Sequence, residues 1–262
     1  MKVGALEVIP VLDGTSRELL SEVVAREDDA DWDCPAQPLG DDGRLVLDFG
    51  GFLLRTAGRT ILIDTGIGAI DNERWSGGRL PGNLRRLGVE LGDVTDVVFT
   101  HLHFDHVGWA TQRGQVIFPN ATYRVHAADW QHFVVGPDAV PGAVRKLLPI
   151  EAQLETFDRE VELAPGLIAR PAPGHTPGST IFVIADGPER ALLLGDVAHA
   201  VAELTDPEWH GLYDLDPLAA RTVRDRIASE AAEAGDAVAA AHFPGLRFGR
   251  LVAARRRRYE YI

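Results

Sequence analysis

Apolar residues in the first third of the chain fall in short runs that end at turn-forming residues, a pattern typical of β-strands. Four such runs occupy residues 5–12, 44–49, 51–56 and 60–63. The last two flank the tripeptide AGR, so they predict a hairpin. The polar, acidic segment 16–43 is too long for a plain connection, and we expect it to form a surface excursion or a flap over a site.

Later segments alternate between helical and strand-like spacing. Helical spacing covers residues 80–87, 127–134, 141–148 and 216–234, and strand-like runs cover 94–100, 122–126, 151–156, 161–163, 167–171, the hairpin 180–196, 237–242 and 251–262. The longest helix is predicted to begin with Asp216 as its N-cap and Pro217 in its first turn. No linker or repeat interrupts the pattern, so we expect one domain over residues 1–262.

The order of these elements predicts an α+β fold. Strands cluster at the start of the chain, and helices mix with strands afterwards. Two mixed sheets packed face to face, with helices outside, would bury the apolar runs of both sheets. An alternating parallel sheet is disfavoured because the first third contains too many consecutive hairpins.

Charge and composition narrow the function classes. The formal net charge is −13, which repels nucleic-acid phosphates and anionic lipid. We interpret the short basic run 255–258 as a solvated strand edge. The apolar stretch near the N-terminus, broken by Glu7 and Pro10, fits neither a signal peptide nor a membrane span, so we expect a cytoplasmic protein. The single cysteine, Cys34, excludes an internal disulfide framework.

The stretch THLHFDHVGW, residues 100–109, concentrates three of the chain's nine histidines. In an extended strand end, alternate side chains point the same way, so His101 and His103 can hold one metal ion. If the chain then turns into a helix, Asp105 and His106 project to a second position beside the first. Gly108 permits a close backbone approach after the turn. The spacing therefore predicts two half-sites built from one loop.

Each half-site needs further ligands, and with one cysteine in the chain these must be histidine or carboxylate. His175, Asp196 and His242 each follow an apolar run and precede a turn residue. This is where a sheet delivers side chains to its rim. Together with the loop at residues 100–109 they make two sites of three protein ligands each, provided that Asp196 bridges both ions.

These motifs closely resemble those of the metallo-β-lactamase superfamily of metallohydrolases, over residues from about 5 to 260. The resemblance implies a four-layer αββα sandwich with the site at one edge, in agreement with the layers predicted above. It further implies that the first metal is bound by His101, His103 and His175 and the second by Asp105, His106 and His242, with Asp196 bridging.

Two divalent ions about 3.5–4 Å apart would share a water and ionise it to a bridging hydroxide nucleophile. Zinc is the expected metal, although Mn, Fe and Co accept the same ligands. Asp105 is placed to shuttle the proton. Acyl-homoserine lactonases resemble this chain in length and in the HLHFDH motif. They carry a tyrosine three residues after the bridging aspartate, where this chain has His199. We expect His199 either to donate a hydrogen bond to the substrate, as that tyrosine does, or to hydrogen-bond a metal-binding residue.

The leading hypothesis is a dinuclear metal-dependent hydrolase that cleaves a carboxylic ester or lactone of small size, acting as a monomer or homodimer without nucleic acid or membrane. The alternatives are a phosphotriester or thioester hydrolase, a mononuclear iron enzyme resembling persulfide dioxygenases that uses His101, His103 and His175, and a ligand-binding protein without catalysis.

Several further residues near these motifs allow two interpretations. Asp64 either forms a turn or orients a metal-bound histidine. The aromatic residues Trp75, Phe104 and Trp109 either pack in the core or line an apolar substrate wall. By contrast, His126 and His132 are interpreted as helix-boundary or core residues.

Overall fold

The structure is a computed structural model that describes residues 1–26, 28, 31–137, 139–254 and 257–262. Among them the strands are β1 Lys2–Val3, β2 Leu6–Glu18, β3 Val24–Ala25, β4 Leu45–Thr56, β5 Arg59–Ile63, β6 Trp75–Ser76, β7 Asp96–Val98, β8 Thr111–Gln112, β9 Gln115–Val116, β10 Thr122–His126, β11 Leu154–Phe157, β12 Val161–Ala164, β13 Leu167–Pro171, β14 Thr180–Asp186, β15 Glu189–Leu193, β16 His210–Gly211, β17 Ala237–Ala239, β18 Gly249–Val252 and β19 Arg258–Tyr261.

The α-helices of the described residues are α1 Leu80–Arg86, α2 Ala127–Trp130, α3 Pro141–Leu147, α4 Val201–Thr205 and α5 Pro217–Ala234. Short 3₁₀ turns lie at Leu20–Glu22, Leu91–Asp93, Leu148–Gln153, Gly195–Val197 and Pro244–Leu246, and a π turn at Gln131–Val135 continues α2. No helix in this described part is both long and apolar enough to cross a bilayer.

Two mixed sheets form the body of the fold. The first has the order β1-β2-β4-β5-β7-β10-β11, with β6 paired to β2, and its last four strands run parallel. The second has the order β12-β13-β14-β15-β17-β18-β19 and is antiparallel except between β15 and β17. Smaller pairs join β3 to β16 and β8 to β9.

Three buried clusters place the helices outside the two sheets. Phe52 of β4 and Phe182 of β14 share the cluster between the sheets. Their neighbours in sequence, Leu53 and Val183, point to the opposite faces, where they pack with the α1 and α5 layers respectively. The order is therefore helices, sheet, sheet, helices, which confirms the predicted α+β sandwich.

The predicted strands 44–49 and 51–56 are one continuous strand, β4, paired along most of β2. A Cβ added to Gly50 would lie 2.3 Å from the Val11 carbonyl oxygen, and one added to Gly51 would lie 2.2 Å from that of Asp64. The two glycines therefore allow close backbone packing and do not form a turn. Strand β2 extends to Glu18, so the segment 16–43 begins inside the sheet.

Other elements differ from prediction mainly at their ends. Residues 148–153 form a 3₁₀ turn where the start of a strand was predicted, and 251–262 contains parts of β18 and β19 in place of one strand. Of the basic run 255–258, Arg255 and Arg256 lie outside the described residues, and Arg258 lies in β19 at a sheet edge.

Helix α5 begins as predicted. The Asp216 carboxylate accepts a hydrogen bond from the Ala219 backbone N–H at 3.0 Å, and Pro217 is the first helical residue. Gly235 ends the helix in the left-handed conformation with φ of 69°. This helix covers the second sheet and carries Arg224 toward the site described below.

Candidate metal centre

The loop after β7 turns sharply at residues 103–106 without forming a helix, in contrast to the helical turn considered from the sequence. The His106 N–H donates to the His103 carbonyl at 3.1 Å, which closes the turn. Gly108 reaches the backbone of residues 66–68, and an added Cβ there would lie 2.1 Å from the Ile67 carbonyl carbon. The close approach predicted for Gly108 is confirmed, and it fixes the exit of the loop.

His101, His103 and His175 converge with Asp196 at the end of this loop. His103 Nδ1 lies 3.0 Å from His101 Nε2 and 2.9 Å from His175 Nε2. Asp196 Oδ2 lies 3.7 Å from His101 Nε2 and 3.6 Å from His175 Nε2. All four ligand atoms lie within 4.8 Å of one another, so one cation can contact them all.

A second group lies beside the first and shares Asp196 with it. His106 Nε2 is 3.2 Å from Asp196 Oδ1 and 3.7 Å from Asp105 Oδ2. His242 Nε2 is 3.2 Å from Asp196 Oδ2 and 3.4 Å from Asp105 Oδ2. The structure thus brings together all seven side chains that the sequence grouped, in the two sets expected, with Asp196 common to both.

Strand ends from both sheets position these side chains. The first loop follows β7, whereas His175, Asp196 and His242 follow β13, β15 and β17 of the second sheet. Gly195 has φ of 54°, and an added Cβ would lie 2.6 Å from the Thr100 side chain. Glycine therefore lets the Asp196 turn approach the loop from the other sheet. A hydrogen bond from Thr180 N to Thr100 O joins the two sheets at the same edge.

The donor set fits divalent cations. The buried atoms His106 Nε2 and Asp196 Oδ1 lie 3.2 Å apart without forming a well-aligned hydrogen bond, and the ring nitrogens of the first group face one another at about hydrogen-bond distance. Buried acceptors in this arrangement repel one another unless a proton or a cation lies between them. Histidine and carboxylate are the ligands that zinc and similar ions take.

Burial sets the protonation states that a metal requires. It lowers the pKa of His103 to about 3 and that of His101 well below its usual value, so these rings are neutral. Burial alone would raise the pKa of Asp196, but His106 and His242 hold it well below the usual range. Neutral imidazole and ionised carboxylate are the forms that bind a cation.

The pKa of His106 shifts in the opposite direction to those of the histidines in the first group. Although burial lowers its pKa, the carboxylates of Asp196, Asp105 and Asp64 raise it well above the ordinary value. Three carboxylates around one ring make a position where positive charge is favoured. A divalent cation at the second group would supply that charge in place of a proton.

Most of the ligand rings are also held through their second nitrogen. His106 Nδ1 contacts Asp64 Oδ2 at 2.9 Å, His175 Nδ1 contacts Asp214 Oδ1 at 3.1 Å, and His242 Nδ1 contacts the Asp48 carbonyl oxygen at 3.1 Å. Asp64 itself accepts from Thr100 N and Oγ1 at 2.8 and 2.7 Å. Asp64 therefore has the contacts of an orienting residue, which was one of its two predicted roles.

Sequence reasoning missed Asp214 and the buried network behind it. Arg224, which is 1% exposed, lies 3.1 Å from Glu203 Oε1 and 3.5 Å from Asp214 Oδ2, and donates to the Val197 carbonyl at 2.9 Å. Asp214 precedes a helix, where acidic residues are common because they interact favourably with the helix dipole. Its position in the sequence therefore did not indicate a role at the site.

His199 lies beside the first group. Its Nε2 is 3.6 Å from Asp196 Oδ2, and its ring centroid is 4.8 Å from that of His175. Neither ring nitrogen has a hydrogen-bond partner among the described residues. Burial lowers its pKa, but Glu203 and Asp196 outweigh burial and raise the value to about 9. The ring therefore lies beside the candidate ligands, and in any protonation state an imidazole carries at least one N–H that can donate a hydrogen bond.

The aromatic residues near the loop divide between packing and exposure. Trp109 is buried and its indole N–H donates to Asp13 Oδ1 at 2.9 Å. Phe104 is 51% exposed, and its ring centroid lies 5.3 Å from that of Trp75. Phe104 and Trp109 also line a cavity next to His103, so they belong to a wall beside the centre. His126 caps α2, as predicted for a helix boundary.

Two adjacent groups of histidines and aspartates lie at one edge of an αββα sandwich. The sequence profile of the metallo-beta-lactamase superfamily matches residues 51–242, a span that contains all seven side chains. The chain belongs to this superfamily.

Individual relatives are more distant. N-acyl homoserine lactonase AiiA from Bacillus thuringiensis subsp. kurstaki is 25% identical in an alignment of length 173, which covers 59% of this chain and 66% of that protein. Ribonuclease TTHA0252 from Thermus thermophilus is 31% identical in an alignment of length 191, which covers 66% of this chain and 41% of the ribonuclease. Each alignment thus spans less than two thirds of the relative.

Among solved structures, the dizinc quorum-quenching lactonase AidC, in complex with a product, superposes with a TM-score of 0.81 at 25% identity. The superposition covers 100% of this chain and 95% of AidC. The likeness therefore extends over both sheets and the helical layers.

Proposed function

We propose that the chain is a dinuclear metal-dependent hydrolase that cleaves a carboxylic ester or lactone. His101, His103 and His175 would hold one ion and Asp105, His106 and His242 the other, with Asp196 shared. The observation that carries the proposal is the sharing of Asp196 between two groups whose ligand atoms each lie within 4.8 Å. Zinc is the proposed metal because the donors are mainly imidazoles with few carboxylates.

When bound, two divalent ions supply Lewis acidity and lower the pKa of a shared water. Residues of the chain would accept the proton and donate a hydrogen bond to the substrate. Asp105, whose Oδ2 lies within 3.4 Å of His242, keeps a second carboxylate oxygen that can accept a proton. His199 is buried beside the first group, and its ring N–H can donate a hydrogen bond to the substrate's carbonyl or leaving oxygen.

Two observations favour an ester or lactone over other substrates. AidC is described as a lactonase and AiiA as an N-acyl homoserine lactonase. A net charge of −13 opposes the polyanionic substrate of a ribonuclease. The same charge and a single cysteine also support a cytoplasmic protein that acts on small molecules. The same seven side chains could also support hydrolysis of a phosphotriester or a thioester, and only an activity assay distinguishes these reactions from ester or lactone hydrolysis.

The test is turnover of a panel of lactones, aryl esters, thioesters, phosphotriesters and β-lactams by zinc-loaded protein. We expect lactones or aryl esters to be hydrolysed fastest and chelation to abolish turnover. His103→Asn should lower kcat/KM by more than about 100-fold, since loss of an orienting partner alone costs roughly 10- to 100-fold.

The matched control is His126→Asn. His126 caps α2 through a bond from Ala128 N, and asparagine is a good N-cap, so this variant should keep its activity. Full turnover by the chelated enzyme, or equal losses in both variants, would contradict the mechanism. One iron per chain and no hydrolysis would favour the mononuclear oxygenase.

A further inference from the structure

A cavity of about 400 Å³ opens beside the first ligand group. His103, which is the partly exposed member of that group, lies in its wall. Most of the wall is apolar and comes from the loops after β5 and β7, the π turn at Gln131–Val135 and helix α3, with Ile67, Val107 and Phe133 as examples. Cavities of this size and lining are typical of small-molecule sites.

The charge of this wall is opposite to that of the chain. Two cationic side chains, Lys146 and Arg113, line the cavity, and none of the described residues in the wall is acidic. The chain as a whole has 39 acidic and 26 basic residues. Within the described part of the chain, neither Lys146 nor Arg113 forms an ion pair with a carboxylate. A cavity of this kind attracts an anionic group that the rest of the surface repels.

Backbone contacts hold Lys146 in place. Its ammonium donates to the Gly108 and Thr111 carbonyls, each at 2.8 Å, which uses two of its three N–H groups. Gly108 follows the ligand His106 by two residues, so the ammonium has a defined position relative to the candidate metal centre. Burial lowers the pKa of Lys146, and an anion nearby would offset that cost.

We propose that the cavity binds the acyl part of the substrate and that Lys146, with Arg113 at the exposed side, binds a carboxylate at the far end of that acyl chain. The substrate class is then an ester or lactone whose apolar acyl chain ends in a carboxylate, such as a half-ester of a dicarboxylic acid. This inference rests on the proposed hydrolase function for the position of the reacting carbonyl.

The test compares pairs of 4-nitrophenyl esters whose acyl chains have equal length and end in either a methyl group or a carboxylate. Chains of about four to ten carbons cover a cavity of this size. At the optimal length we expect kcat/KM for the carboxylate-ended ester to exceed that of its partner by roughly 10-fold or more, the effect of one charged hydrogen bond. The measured quantity is the ratio of the two kcat/KM values, so a substitution that lowers activity toward both esters equally leaves it unchanged.

Lys146→Met should remove the preference, and Lys146→Arg should keep most of it. The chain's other lysine, Lys2, is exposed on β1 outside the cavity, and Lys2→Met is the matched control that should keep the full ratio. If Lys146→Met does not fold, Arg113→Gln, at an exposed residue, should lower the ratio partially. A wild-type preference for the methyl-ended ester at every length, or equal ratios in Lys146→Met and Lys2→Met, would overturn the inference.

A binding measurement separates this inference from the hydrolase function. Calorimetric titration of zinc-loaded protein with octanedioate and octanoate should show tighter binding of octanedioate, by roughly 10-fold, in wild type but not in Lys146→Met. If neither ester is hydrolysed and this difference is found, the hydrolase function fails and the carboxylate site stands. If esters are hydrolysed and the difference is absent, the carboxylate site fails alone.

Discussion

Three imidazoles of the candidate centre, those of His106, His175 and His242, gain their orientation from a contact made through the second ring nitrogen. The His106 ring is held by Asp64, and Asp64 is itself fixed by Thr100. His175 depends in the same way on Asp214, which lies next to the buried Arg224. Such partners fix the tautomer and raise the basicity of the nitrogen left for a metal.

Asp64→Asn tests this orientation at one residue. The backbone φ of Asp64 is 57°, a conformation that asparagine also adopts, so the turn should survive. The ring of His106 loses a negatively charged partner, and we expect affinity for the second ion to fall roughly 10- to 100-fold in a competition titration with a chelator. Asp71→Asn, at an exposed acid in the following loop, is the control, and equal affinities in the two variants would rule out the orienting role.

His199 can be tested by the substitutions His199→Leu and His199→Gln. Leucine removes the donor, and we expect kcat to fall roughly 100-fold or more, as for loss of one oxyanion donor. Glutamine keeps an N–H and should lose less. Metal content should remain at the wild-type level in both variants. A loss of metal from the leucine variant would instead make His199 a ligand, since it also clusters with His175 and Asp214.

At the scale of elements, helix α2 connects two of the loops that carry ligands. Asp129 accepts hydrogen bonds from Leu102 N at 3.1 Å, from Thr176 Oγ1 at 3.1 Å and from Gly178 N at 2.6 Å. It therefore ties the loop after β7 in the first sheet to the loop after β13 in the second. One buried carboxylate thus sets the spacing between His103 and His175.

Asp129→Asn should loosen this connection. The amide offers one acceptor oxygen in place of two, so at least one of the three buried donors loses its partner. The free energy of unfolding should fall by about 1–3 kcal/mol in a denaturant titration, and hydrolysis should weaken as well. Asp41→Asn, at an exposed position, provides the comparison. Unchanged stability in Asp129→Asn would mean that α2 does not brace the two loops.

At the scale of the whole molecule, the local patterns predicted the two sheets, the outer helices and the grouping of the seven candidate ligands. The histidines and aspartates at strand ends could be predicted from short motifs. Side chains alternate along a strand, and this alternation determines which of them reach the same edge of the sheet. The start of α5 was predictable for a similar reason, since Asp216 and Pro217 act within one turn.

Long-range contacts account for what the sequence did not predict. Gly50 and Gly51 lie in mid-strand because neighbouring backbones approach closely, whereas their local pattern suggested a break between two strands. Asp214 and Arg224 meet only after α5 packs on the second sheet. The segment after His103 forms a turn in place of a helix, and backbone hydrogen bonds between residues 106–109 and Thr65 and Gly66 hold its exit. None of these contacts produces a repeating pattern in the amino-acid sequence from which it could be predicted.

Metal binding should also support the stability of the whole molecule. Removing the ions leaves charged and polar groups buried together without compensation. Ligand at 100 times its dissociation constant stabilises a fold by about 2.7 kcal/mol, which is on the order of 5–10 °C in Tm for a chain of this length. Differential scanning fluorimetry should show that drop after chelation and its reversal by added zinc. Equal Tm values for chelated and zinc-loaded protein would refute this coupling.

The central claim is that seven side chains on two sheets hold a pair of divalent ions. Elemental analysis of zinc-reconstituted, desalted protein tests it most directly. The predicted result is two zinc ions per chain in wild type, and fewer than two when Asp196→Ala removes the shared ligand. A wild-type protein that holds no zinc, or an Asp196→Ala variant that still holds two ions, would contradict the claim.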